Sequence, residues 1–174
     1  MLWSRLNRSG DKLTASRLPP VDLNDVLKAY QALQGREIWK HDGPFIEKYQ
    51  PTFGPGVKER FAFAKTIHDK DLTEQESLCE QAVRHINGLL ADSSVLILHT
   101  LPGAGLKLDC SPDDMNAFRS RMSASFCLGG LAGVPWITLP LAEIDGAPLG
   151  VSLVSACGTD AWLLELSKAL VQNR

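Results

Sequence analysis

No apolar run in the 174 residues approaches the roughly 20 that a membrane-spanning helix needs, and none is therefore expected. Charge of one sign is not in excess either: 18 basic residues stand against 20 acidic ones, a net of −2. The basic residues are scattered, whereas a phosphate-tracking surface clusters them, so neither nucleic acid nor a membrane is an expected partner. The four cysteines, Cys79, Cys110, Cys127 and Cys157, lie far apart with no C-x-x-C pair. A zinc site wants paired thiolates or imidazoles at short spacing, so no metal is expected, and reduced thiols in a cytoplasmic protein are the default. There is no Gly-x-Ser-x-Gly nucleophile elbow, no internal repeat and no low-complexity stretch. What remains is the composition of an ordinary globular domain, 44% hydrophobic and 22% charged, long enough to bury a core.

The most informative stretch is residues 131–164, LAGVPWITLPLAEIDGAPLGVSLVSACGTDAWLL. Ile137, Leu139 and Leu141 share one face at period two, as do Leu149, Val151 and Leu153. Asp145-Gly146 tolerates the positive φ of a tight reversal, so the segment reads as an antiparallel hairpin whose second strand begins near Pro148. On that strand's other face Gly150 and Ser152 leave room for something close. A helix follows, capped by Thr159, with Trp162, Leu166, Ala169 and Leu170 as its buried face.

Upstream, residues 1–21 read as an irregular lead-in and 22–174 as the organised part. The first 17 residues hold four basic side chains and only Asp11 as an acid. That composition is compatible with a transit peptide, but an arbitrary start within a longer frame is the preferred expectation. Val26, Leu27, Tyr30 and Leu33 have helical spacing, with Asp22 or Asn24 as cap, and Ile38 and Trp39 continue the stripe until Gly43-Pro44 forces a break. A short helical turn over 45–49 follows. The run 57–67 predicts an amphipathic helix with Val57, Phe61 and Ala64 on one face. Thr73 with Glu76 reads as a capping box opening a helix to about Leu90. SVLILHT, residues 94–100, is apolar on both faces, as a central strand of a covered sheet is. After a Gly/Pro loop, Ser111-Pro112-Asp113 caps a helix, and the Asp113-Asp114 pair suits its N-terminus. Strands alternating with helices give an α/β fold class. Three strands leave an incomplete sheet, one that a larger parent sheet would finish.

GVPWITLP, GAPLGVSLV and GTDAWLL, in that order, resemble the end of the amidase signature hydrolases. Gly35-Arg36-Glu37 through Trp39, with FGPGVKERFAFA, resembles the indole-3-acetamide hydrolase branch and the related chloroplast import receptor. The likeness covers about residues 20–172 and implies part of the family's mixed sheet with flanking helices, a C-terminal hairpin and a final helix. It also implies amide hydrolysis to acid and ammonia without a cofactor. The family's triad is a lysine, a serine and a second serine at a cis peptide, carried on a V-K-D-type strand and a Gly-Gly-Ser-Ser-Gly loop. No such loop occurs in this sequence, where Gly129-Gly130 is followed by Leu131. The resemblance thus implies a C-terminal portion without catalytic residues, whose partners are a missing N-terminal half and, in the complete enzyme, a small amide substrate. A binding or scaffold domain and a gene remnant are the rival readings.

For substrate contact the resemblance points to Thr100, Leu101, Pro102 and Gly103, where the family has a T-x-P-type loop. His99, at the end of the predicted strand, lies where open α/β sheets bind ligands. Ser123, Ser125 and Cys127 precede the hairpin, and packing explains Cys127 better than a nucleophilic role. His85 reads as a core histidine; His41 and His68 as exposed ones.

Overall fold

The computed structural model describes residues 22–54, 56–91 and 93–172, so the predicted lead-in over 1–21 lies outside the described residues. These residues fall into two units, one over 22–82 and one over 83–172. Among them are five helices and one three-stranded sheet, and no described helix is long and apolar enough to cross a membrane.

The first unit is helical. Helix α1, Leu23–Tyr49, is capped by the Asp22 carboxylate, which accepts from the Asn24 N–H at 2.7 Å. It runs through Gly43 and Pro44, where the sequence predicts a break. Pro44 removes one ladder donor, but beyond it Glu47 accepts a hydrogen bond from Lys65 of α2 (Val57–Ile67) at 2.9 Å. The Lys65 ammonium also sits 5.2 Å from the centre of the Trp39 ring, one turn before the proline. The two helices pack together, and these side chains fasten α2 to α1 on both sides of Pro44. The predicted stripe on α2 is only partly correct: Ala64 and Ile67 are buried, but Val57 is exposed because it lies at the very start of the helix.

Helix α3, Thr73–Leu89, starts where expected but is not closed by the predicted capping box. Asp71 takes the capping role, accepting from the Thr73 N–H at 3.0 Å and from its hydroxyl at 2.6 Å. Glu76 instead pairs with Arg36 of α1. His68, expected to be exposed, is half-buried: its ring lies 6.0 Å from that of Trp39, and its Nδ1 lies 2.8 Å from the Lys65 carbonyl.

The second unit holds the sheet. Strand β1 is Leu96–His99; helix α4, Pro112–Ala132, follows; then β2, Trp136–Ile144, β3, Ala147–Val154, and helix α5, Asp160–Gln172. The strand order is β1-β3-β2, with β3 antiparallel to both neighbours. This corrects the reading of the 94–100 run as a central strand. Strand β3 is central, and its last four residues are all buried, while β1 is a half-buried edge. The hairpin is as expected: Asp145 and Gly146 both have positive φ, 50° and 77°, the pair a type I′ turn demands. One irregularity interrupts it, a bulge between Leu139 and Ala142 that places Pro140 and Leu141 opposite Gly150. Proline tolerates that position because a bulge frees its nitrogen from the ladder.

Register sorts the side chains by face. Ile97, Ile137, Leu139, Leu141 and Leu153 join Leu163 and Leu170 of α5 in one core cluster. The buried positions of α5 are therefore Leu163 and Ser167; the predicted Trp162 and Ala169 point outward, Trp162 being 45% exposed. Thr159 precedes this helix as expected, but its hydroxyl donates to the Ala156 carbonyl and lies 2.7 Å from Ser155 Oγ, and its own carbonyl accepts from Leu163. The opposite face meets Ile86 of α3 with Leu128 and Gly129 of α4 around a small apolar cavity, also lined by Leu96, Leu98, Trp136 and Val154. Helices thus cover both faces, and the outer edges of β1 and β2 are unpaired among the described residues.

Candidate functional site

Residues paired across a ladder point to the same side of the sheet. Leu98 and Thr138 both pair with Ser152, so these three face α4, with Thr100 and Gly150 one step further along. Thr100 is where the chain leaves the sheet, its N–H donating to the Gly150 carbonyl at 3.0 Å. Its Oγ1 lies 2.8 Å from Ser152 Oγ, which lies 3.1 Å from Thr138 Oγ1, and Thr100 Oγ1 reaches Thr138 Oγ1 at 3.4 Å. Three hydroxyls, from β2, β3 and the residue just past β1, therefore meet over Gly150. A Cβ at position 150 would stand 2.7 Å from Thr100 Oγ1 and 2.8 Å from Thr138 Cγ2, closer than side chains approach. The room read in the sequence at Gly150 and Ser152 is filled by these two threonines.

The four residues singled out for substrate contact lie together at this corner. Thr100 belongs to the hydroxyl cluster, and Leu101, Pro102 and Gly103 form the half-buried bend that follows. His99 points to the other face, level with Val151, and is exposed. Ser123, Ser125 and Cys127 are carried on α4; Cys127 is buried and its thiol donates to the Ala124 carbonyl at 3.3 Å, a packing role as expected. His85 is half-buried on α3 and His41 is exposed. Thr138 and Ser152 were not among the residues singled out for function. For Ser152 the signal available was its alternation with Gly150 on one strand; Thr138, on the neighbouring strand, offered none.

No group of three or more His, Cys, Asp or Glu that could hold a metal ion occurs among the described residues. Displaced titrations also lie away from the corner. Burial pushes the Cys79 thiol up, making it a poor nucleophile. The hydroxyl and N–H of Thr73 hold the Asp71 carboxyl below its ordinary range, and the Lys65 ammonium does the same for Glu47. The corner is therefore a neutral surface of hydroxyls and backbone, suited to hydrogen bonding and carrying no acid–base group of its own.

No protein-family model matches the chain. Among solved structures it superposes on an amidase with a TM-score of 0.76 at 22% identity, covering 99% of this chain and 41% of that one. A bacterial aryl acylamidase of the amidase signature enzymes matches with a TM-score of 0.70 at 16% identity, over 98% and 39%. The fold is that of amidase signature structures. In sequence it is 28% identical over 162 residues to Amidase 1 of Arabidopsis thaliana, covering 93% of this chain. It is 25% identical over 159 residues, 88% of this chain, to the chloroplastic Outer envelope protein 64 of the same plant. The chain resembles the amidase signature family, and among its relatives the branch with these two proteins. It spans 38% of the first relative's length and 25% of the second's.

Proposed function

We propose that residues 22–174 act as the C-terminal portion of an amide hydrolase, furnishing part of the central sheet and the 100–103 substrate loop, while the lysine and serine pair come from a separate N-terminal portion. The observation that carries this reading is the corner itself: a bent loop leaving a strand end, held by three hydroxyls that bond to one another. The chain's span of its amidase relatives supports it. The outer edges of β1 and β2, unpaired among the described residues, give that N-terminal portion a place to join by strand addition. The reaction is the conversion of a small carboxylic amide to acid and ammonia.

The test is ammonia release from primary amides by the 174-residue chain, alone and fused behind the N-terminal portion of a plant Amidase 1. The chain alone is expected to release none and the fusion to be active. Turnover by the chain alone would overturn the assignment of the chemistry to another segment. A second reading, a non-catalytic scaffold domain, is favoured by the likeness to Outer envelope protein 64. A folded, inactive fusion would select it.

A further inference from the structure

We infer that Ser152, with Thr138 and Gly150, is a positioning device for the 100–103 loop. Ser152 is fully buried on a strand whose neighbours Val151, Leu153 and Val154 are buried and apolar. A hydroxyl in such a place costs free energy unless it is bonded, and an alanine would fill the same space. Its hydroxyl is held at 2.8 Å from Thr100 and 3.1 Å from Thr138, so one side chain on the central strand ties the exit of β1 to β2 on the far side. Gly150 makes the closure possible, since any side chain there would drive the two threonines apart. With the backbone bond to Gly150, Thr100 is thus held at both its N–H and its Oγ1, and the loop departs from a fixed point. That this fixed point serves substrate binding rests on the function proposed above; that it fixes the loop does not.

Hydrogen exchange on the 174-residue chain separates the two. In Ser152→Ala and in Thr100→Val the amide of residue 100, which donates to the Gly150 carbonyl, should exchange about tenfold faster, the equivalent of one hydrogen bond lost. The amides of β3 should stay within about twofold of the parent, and Thr100→Ser should restore slow exchange. Unchanged exchange at the residue 100 amide, an equal rise throughout the sheet, or failure of Thr100→Ser to rescue would each overturn the inference. In the active fusion, Thr100→Val should raise KM for the amide with kcat little changed. Faster exchange at the residue 100 amide with KM unmoved would leave the positioning role standing and remove the substrate reading of 100–103.

Discussion

Where Trp136, Val154 and Leu96 stand level on the sheet, the face toward α4 is apolar apart from the buried, unbonded indole N–H of Trp136, and packs against Leu128 and Gly129; two residues along, the same face is made of Leu98, Ser152 and Thr138, and then Thr100 and Gly150. Both ends contain a glycine against which larger side chains close. At Gly129 a Cβ would stand 2.7 Å from the Trp136 ring, itself stacked on Phe126 at 5.0 Å between centroids; at Gly150 it would meet a hydroxyl. The same device serves opposite ends. At the first it lets a large ring lie flat on a helix and contributes burial; at the second it brings polar atoms together and contributes geometry. Stability should therefore reside mainly at the Trp136 end, and loop position at the Thr100 end.

Four experiments can break or sharpen that contrast. Leu128→Ala, at a position 2% exposed, should cost about 3 kcal/mol in urea denaturation by leaving a cavity beside the existing one. Gly129→Ala should cost about 1–3 kcal/mol, because the added methyl meets a ring braced by Phe126, and Trp fluorescence should change with it. Ser152→Ala should cost only about 1 kcal/mol in the same titration, with its effect concentrated on the loop. A loss as large as that of Leu128→Ala would show that the hydroxyl end is a structural core as well. The smallest effect lies in the helical unit and serves as a control. Glu47 is held below its ordinary pKa by the hydrogen bond and charge of Lys65. The pair's contribution is therefore complete above the ordinary carboxylate range and lost as pH falls through the lowered folded value. Carbon-detected NMR titration should show the Glu47 pKa rise in Lys65→Met, with no change at the sheet; both groups are exposed, so stability should barely move.

The hairpin was legible because its signals are local: two alternating runs and an Asp-Gly turn. The cap by Ser111 with Pro112 was legible for the same reason, the Ser111 hydroxyl accepting from the Asp114 N–H at 3.0 Å. Whatever depended on distant partners was not. The helix passes Pro44 because Lys65, remote in sequence, fastens it on either side of the proline; Glu76 leaves its predicted cap for Arg36, forty positions away. The 94–100 run reads as central on apolarity alone, since hydropathy reports burial of faces and is silent on hydrogen bonding at edges. At the candidate site Thr100 was visible through family resemblance, and the space at Gly150 and Ser152 through strand alternation. That the two belong to one cluster depends on the β1–β3 register, which no single segment encodes.

The strand order has a consequence for how the chain is made. Leu96 pairs with Val154, and every ladder in the described sheet runs through β3, which is synthesised after both of its neighbours. When β1 and β2 have left the ribosome they have nothing in this sheet to pair with. β2 meets β3 as soon as the Asp145-Gly146 turn closes, a local event of microseconds, whereas β1 waits for a long loop to close. Edge and hairpin are then joined last at the step that brings Thr100 over Gly150, so a nascent chain stopped short of residue 147 would expose Leu96, Ile97 and Leu98 together to other chains and to chaperones.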